Sequence, residues 1–278
     1  MKDGKLTTAS RLPTASVTKL HCGVLLGRFI DQGFVSLDDP VSKYFPDFPA
    51  DSPKTPTVRQ LMNHTSGLEG HRFYMMLEGM VNPFLENVAW WDMQNVKPGI
   101  ENKYNGFGID LGGKVIEDIT GRSVFDVMRD GLFVPLGQDN PTICDLGYGL
   151  TCTAMDLLRV AEMLRNEGAY DGKRYFSRET FKSLLPIPLG KHNPNMETSA
   201  EYEYGVGIAW MGDRAPNAPE ETFILGKNVF GHGSATGAIL RVAPDHEIVI
   251  GMTRYTTGKN YHEGITGLMQ AIADNLIE

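Results

Sequence analysis

Apolar positions in the first two thirds of the chain recur mostly at helical intervals, and those near its end at strand-like ones. Over residues 16–33, Val17, Leu20, Val24, Leu25 and Phe29 line one face of a predicted helix that follows Pro13-Thr14-Ala15 and stops at Gly33. A loop through Asp38-Asp39-Pro40 and the proline-rich stretch 45–56 leads to Thr57, where Thr57-Val58-Arg59-Gln60 has the spacing of a capping box. The helix it opens carries Leu61 and Met62 and ends before Thr65-Ser66-Gly67. Residues 71–93, rich in Met, Phe and Trp, match neither period. Ile109, Leu111, Val115, Ile116 and Ile119 predict a helix over 106–120 closed by Gly121. Further helices are expected over 123–132, 153–168 and 177–185.

After Tyr204 the pattern changes. Residues 205–210, 238–243 and 247–253 read as strands, with Pro244-Asp245-His246 as the turn between the last two. A helix over 261–276 closes the chain. A helical middle followed by an antiparallel meander predicts an α/β fold of the α+β kind, an antiparallel sheet flanked by helices plus a helical region.

Composition narrows the function. A chain of 278 residues can form one large domain or two joined ones, and 41% hydrophobic with 22% charged residues is ordinary for a globular protein. Apolar runs such as 22–26 are soon broken by Arg28 and Asp31, so no bilayer-spanning segment is expected. The start Met1-Lys2-Asp3-Gly4-Lys5 lacks an apolar stretch, so no signal peptide is expected and the cytoplasm is favoured, although nothing fixes the compartment. A net charge of −8 with no Lys/Arg block argues against nucleic acid and anionic membranes as partners. Cys22, Cys144 and Cys152 are odd in number and lack a Cys-x-x-Cys pair, which excludes a disulfide framework and a structural zinc site. Each is expected to pack as a small hydrophobe. His21, His64, His71, His192, His246 and His262 show no ligand spacing and read as structural or exposed.

The candidate chemistry lies at the start of the first helix. Ser16 and Lys19, at i and i+3, share a helix face and can touch. A serine hydroxyl needs a base beside it, and lysine serves if burial and the helix dipole lower its pKa. The Ser16 backbone N–H, in the first helical turn, is an orphan donor able to hold an oxyanion. Ser-x-x-Lys alone is as compatible with a capping serine and a surface lysine.

The surrounding motifs carry more. Ala15-Ser16-Val17-Thr18-Lys19, Leu37-Asp38-Asp39-Pro40-Val41, the stretch 61–68 ending His64-Thr65-Ser66-Gly67-Leu68, and Pro98-Gly99 with Tyr104 follow one another in order. The stretch 113–121, Pro135-Leu136-Gly137, Thr153-Ala154-Met155-Asp156-Leu157 and Phe230-Gly231-His232-Gly233-Ser234-Ala235-Thr236-Gly237 complete the series. In these motifs, from residue 15 nearly to the end, the chain resembles the serine β-lactamase and penicillin-binding protein superfamily, in its class C, family VIII-type esterase and D-aminopeptidase branch. The resemblance implies a β-lactamase/transpeptidase-like fold. Residues 1–35 and 200–278 would form a mixed domain, and 36–199 a mainly helical inserted region, with Ser16, Tyr104 and His232 meeting between them.

The resemblance also implies roles. Ser16 would be the acylated nucleophile and Lys19 its proton acceptor. Tyr104 would shuttle the proton to the leaving group, its phenolate favoured by Lys19 and, where charged, by His232. Near its usual pKa of about 6.5, that histidine is mostly neutral at pH 7 and holds a carboxylate less firmly than lysine. His232 opens the third motif, whose backbone would give a second oxyanion donor at Ala235, with Asn105, Gly233 and Ser234 on the substrate. No metal and no organic cofactor is implied. Three departures bear on substrate and assembly. Gly106 stands where the family has the Asn of Tyr-x-Asn, Ser234 where Gly is usual, and His232 where Lys is common. Only fifteen residues precede Ser16, whereas relatives carry strands there, so either a missing segment or a homo-oligomer covering an open sheet edge is expected.

Losing the amide and the lysine argues for a carboxylesterase or small-amide or peptide hydrolase acting through an acyl-enzyme on a small-molecule ester or amide. A non-turnover penicillin-binding or sensor-type protein, or a degenerate homologue, is one alternative. A weak β-lactamase or D-Ala-type peptidase is the other. Residues 71–93 would either wall an apolar acyl pocket or pack as ordinary core.

Overall fold

The computed structural model describes residues 5–68, 89, 97–138, 141–215, 219 and 222–276. The proposed wall at 71–93, Ala89 apart, lies outside the described residues. Among these, seven α-helices occur: α1 (Thr18–Asp31), α2 (Val58–Met62), α3 (Phe107–Thr120), α4 (Val124–Met128), α5 (Ala154–Arg165), α6 (Arg178–Leu184) and α7 (Tyr261–Ala273). Side-chain caps set several starts. Thr57 and Thr153 form capping boxes with Gln60 and Asp156, and Ser177 accepts the Thr180 N–H. Gly121, at φ 64°, adopts the left-handed turn that stops α3.

The first helix begins later than its periodicity predicts. Ser16 sits in a 3-10 turn, Ala15–Val17, and α1 proper starts at Thr18. The chain arrives there from a strand and must turn sharply, which puts Ala15 at φ 43°, a region costly for a residue with a Cβ.

Strands β1 (Leu12–Pro13), β2 (Thr142–Ile143) and β3 (Leu150–Cys152) form a small sheet in the order β1-β3-β2, and β4 (Ala169–Tyr170) pairs with β5 (Lys173–Arg174). The main sheet runs, edge to edge, through β11 (Ile248–Met252), β10 (Ile239–Ala243), β9 (Phe230–Gly233), β8 (Ala209–Trp210), β7 (Glu203–Tyr204) and β6 (Ile187–Pro188), every pair antiparallel. The strand expected over 205–210 is broken: Gly205–Ile208 forms a tight reversal, with Gly207 at φ 64° and the Gly205 N–H donating to the Ile208 carbonyl. Among the described residues β11 bonds only to β10, so it is the sheet's edge.

The core explains why α1 holds still. Leu20, Cys22, Val24, Leu25 and Leu26 are all fully buried, each leucine contributing about 2 kcal/mol. Alternation along β10 sends Leu240 and Val242 into this core, with α1, α3 and α5, and sends Ile239 and Ala243 into a smaller cluster under Ile265 and Met269 of α7. Cys22 and Cys152 are buried as expected, whereas Cys144 is exposed, because it belongs to a surface turn.

Two backbone contacts leave no slack between α1 and the β7–β8 reversal. A Cβ on Gly23 would lie 1.9 Å from the Val206 carbonyl oxygen, and one on Gly207 would lie 2.4 Å from that of Lys19. Gly23→Ala therefore has to push backbone apart, and its stability in urea unfolding should fall by about 2 kcal/mol or more. Gly264→Ala, in open space on α7, should instead gain about 0.5–1 kcal/mol. Equal effects would show that α1 is not wedged against the reversal.

Candidate active site

Ser16 is clamped from both sides in sequence. Thr14 donates its N–H and its hydroxyl to the Leu150 carbonyl, at 2.8 and 3.0 Å. The Thr18 hydroxyl donates to the Ala15 carbonyl at 2.6 Å and accepts the Leu150 N–H at 3.1 Å. The turn is thus tied to β3, and its strained residue, Ala15, directly precedes Ser16.

Lys19 comes from the first turn of α1 and is 4% exposed. Its Nζ lies 3.4 Å from Ser16 Oγ and donates to the Gly147 carbonyl at 2.6 Å. Burial lowers its pKa to about 8, against the raising effect of Asp110 and then Asp145. At pH 7 about a tenth of Lys19 is neutral and able to accept a proton.

Tyr104 stands over this pair, its ring centroid 4.8 Å from Lys19 Nζ, with half of its surface still open. Burial raises its pKa, and a hydrogen bond with Ser16 opposes that rise. The phenolate expected from the sequence is therefore not favoured; Tyr104 is a neutral hydroxyl at pH 7. Its ring packs on His64 (4.5 Å between centroids), which packs in turn on Tyr204 (4.8 Å).

His232, on β9, is buried, and its two nitrogens are both engaged. Nδ1 is 2.5 Å from the Gly233 carbonyl, which can only accept, so Nδ1 carries the proton. Nε2 is then the bare nitrogen and accepts from the Tyr204 hydroxyl at 2.7 Å. Burial lowers the His232 pKa to about 4, despite the Gly233 bond, and Lys19 lowers it further. The sequence leaves His232 mostly neutral at pH 7, and burial removes the remaining charge.

The remaining predicted residues fall into two groups. In the β9–β10 turn the Gly237 N–H closes onto the Ser234 carbonyl at 3.0 Å, leaving the Ala235 N–H outside the turn's own bond. The Ser234 hydroxyl lies 2.9 Å from that of Thr236, which donates to the Pro13 carbonyl at 3.2 Å, so this turn is fastened to the strand leading into Ser16. Asn105 does not face the site. Its amide donates to the Leu68 and Lys103 carbonyls and its oxygen accepts the Gly108 N–H, because it serves the first turn of α3 and the 63–68 loop. Gly106 offers no side chain to replace it.

Tyr204, His64, Gly147, Asp110 and Asp145 were not singled out for the site by sequence. His64 is buried at φ 62°, and its Nε2 has no hydrogen-bond partner among the described residues. Burial holds its pKa well below the usual value, helped by Lys19 and His232. The signal for His64 was present in the His-Thr-Ser-Gly stretch; nothing in residue type announces a backbone carbonyl such as that of Gly147.

The Beta-lactamase family model matches residues 1–268. Penicillin-binding protein 4 of Amycolatopsis lactamdurans is 32% identical over 138 residues, 48% of this chain and 36% of that protein. The 6-aminohexanoate-dimer hydrolase of Paenarthrobacter ureafaciens is 24% identical over 193 residues, 61% of this chain and 49% of that protein. The chain thus spans half or less of the length of these two relatives. The crystal structure of a family VIII carboxylesterase superposes with a TM-score of 0.69 at 18% identity, covering 96% of this chain and 84% of the other, a likeness of fold. Among the described residues no helix is long and apolar enough to cross a membrane.

Three imidazoles kept neutral by burial have a consequence for stability. His21 and His232 are lowered from 6.5 to about 4, and His64 well below 6.5. Between pH 6.5 and 4 the unfolded chain binds protons that the native protein does not, so stability falls as pH falls through that window. Asp110, a carboxyl raised by burial, acts in the opposite sense, whereas His192, also lowered by burial, acts with the three imidazoles. Urea unfolding should lose on the order of a few kcal/mol between pH 6.5 and 4. His21→Leu should flatten that slope, and a slope parallel to the unmodified protein's would contradict a buried neutral imidazole.

Proposed function

The chain belongs to the Beta-lactamase family, and on that footing we propose that it is a serine hydrolase that transfers an uncharged acyl group to Ser16, a carboxylesterase or small-amide hydrolase rather than an efficient β-lactamase. The observation that carries this reading is Lys19 Nζ at 3.4 Å from Ser16 Oγ, dry and with a pKa of about 8.

The steps follow from that pair. Neutral Lys19 takes the Ser16 hydroxyl proton as Oγ bonds to the substrate's carbonyl carbon. The charge moving onto the carbonyl oxygen is met by the N–H groups of Ser16 and Ala235. As the bond to the leaving group breaks, the proton on Lys19 passes through the Tyr104 hydroxyl to the departing oxygen or nitrogen. Water then attacks the Ser16 ester and gives a proton to Lys19; as the bond from the carbonyl carbon to Oγ breaks, Lys19 passes that proton to Oγ, and the acid is released.

Selectivity follows from two absences of charge and amide. His232 is neutral and its Nε2 accepts from Tyr204, so it offers a substrate carboxylate no cation. Asn105 is spent on its own backbone neighbours and Gly106 has no side chain. A cavity of about 550 Å³ shares Tyr204 with the site, its wall carrying Leu189, Tyr202, Ala209 and Trp210 together with Asn102, Glu201, Glu203 and Arg214. The relatives named above as a dimer hydrolase and a carboxylesterase are consistent with this range.

Turnover of p-nitrophenyl butyrate tests the reading. Steady hydrolysis is expected, reduced about 10⁴-fold or more in Ser16→Ala, with a chromogenic cephalosporin turned over far more slowly. One equivalent of p-nitrophenol followed by arrest would instead indicate an acylating protein that does not turn over. No release at all, or release unaffected by Ser16→Ala, would end the proposal.

A further inference from the structure

Two glycine backbones meet beside Lys19. A Cβ placed on Gly147 would lie 3.0 Å from Gly106 Cα, 3.2 Å from Asp145 Oδ1 and 3.8 Å from Lys19 Nζ. The space that a side chain on Gly147 would take is thus already enclosed by the lysine, a carboxyl group and the backbone of Gly106.

Asp145 builds the turn that makes this approach. Its Oδ1 accepts the N–H groups of Gly147 and Tyr148, at 2.7 and 2.8 Å, and its carbonyl accepts that of Gly149 at 3.0 Å. These bonds fix the peptide whose carbonyl receives Lys19 Nζ at 2.6 Å. Asp110, buried on α3, accepts the Leu146 N–H at 3.3 Å, so carboxyl groups hold the turn from two elements.

We propose that Asp145 and Asp110 are positioning residues for Lys19, folding the 145–149 turn onto it and supplying the negative charge that a buried ammonium requires. This rests on the serine-hydrolase reading, because its consequence is the proton affinity of the base beside Ser16.

The electrostatics around Lys19 support this assignment. Among the described residues, the groups facing it are Asp110 and Tyr104 from α3 and the segment before it, Asp145 from the turn, His64 from the 63–68 loop and His232 from β9. Cys22, three residues on along its own helix, feels the same two aspartates. The two imidazoles are neutral, and burial pushes the Tyr104 phenol and the Cys22 thiol up. Of these groups, the two aspartates are left to offset the ammonium. Burial alone would lower Lys19 further; the carboxyl groups bring it back to about 8. The carboxyl of Asp110 is itself pushed well above the usual range, by burial and then by Asp145. Asp145 Oδ1 holds two N–H donors. A base poised near the working pH can both take and return a proton.

Asp145→Asn separates charge from architecture, since an amide oxygen still accepts both N–H groups. Lysine labelled at Cε with ¹³C reports titration by NMR without any turnover, the Lys19 signal being assigned by its loss in Lys19→Met. The unmodified protein should titrate near pH 8 at this position. In Asp145→Asn the midpoint should drop by about one pH unit, with the urea midpoint at pH 7 retained. The isosteric Asp110→Asn should move it in the same direction, and provides the reading if Asp145→Asn fails to fold. For ester hydrolysis in Asp145→Asn, kcat should change and KM should not. An unmoved Lys19 titration in a folded Asp145→Asn protein overturns the proposal. A titration that moves in a protein whose Ser16 is never acylated leaves this inference standing and removes the hydrolase reading.

Discussion

A lysine kept out of water beside a serine hydroxyl is the constraint on which the rest of this structure depends. Removing a charged ammonium from solvent costs on the order of several kcal/mol, recovered only where geometry and partners are good. Lys19 meets that cost with one short bond to the Gly147 carbonyl and with two carboxyl groups in its surroundings. The remaining deficit appears as a lowered proton affinity, which is the property a serine nucleophile needs from its neighbour. Stability is given up at the proposed catalytic pair, as the strained Ala15 and His64 also indicate.

Everything near the site serves to hold that pair. The fully buried leucines of α1 and the near-contact of Gly23 with the Val206 carbonyl fix the helix against the sheet reversal. Thr14 and Thr18 fasten the Ser16 turn to β3, and Thr236 fastens the β9–β10 turn to Pro13, so both expected oxyanion donors hang from one set of bonds. Tyr104, His64, Tyr204 and His232 form a continuous chain of rings along the other side. Their neutrality matters as much as their packing: a charged histidine there would depress Lys19 further.

Much of the fold was legible in the sequence because local rules and the global structure agree. The capping boxes at Thr57 and Thr153, the stop at Gly121 and the alternation along β10 each act within a few residues. The start of α1 was misread because apolar period cannot distinguish a 3-10 turn from the first turn of an α-helix. The strand over 205–210 was misread because Gly205 and Gly207 allow a reversal that the apolar residues between them conceal. At the site, Ser16, Lys19, Tyr104 and His232 were marked by residue type and order. The depth to which burial lowers the His232 pKa was not, since it depends on tertiary packing. Nor was the contact of Gly147 with Lys19, which uses backbone and leaves no trace in composition.

The most direct measurement is the pH dependence of the single-turnover rate at which a fluorophosphonate labels Ser16. A rate that rises with a midpoint near pH 8 is the expected result, because deprotonation of Lys19 controls the nucleophile. A midpoint in the ordinary histidine range, or a rate indifferent to pH and to Lys19→Met, would contradict the assignment of Lys19 as the base.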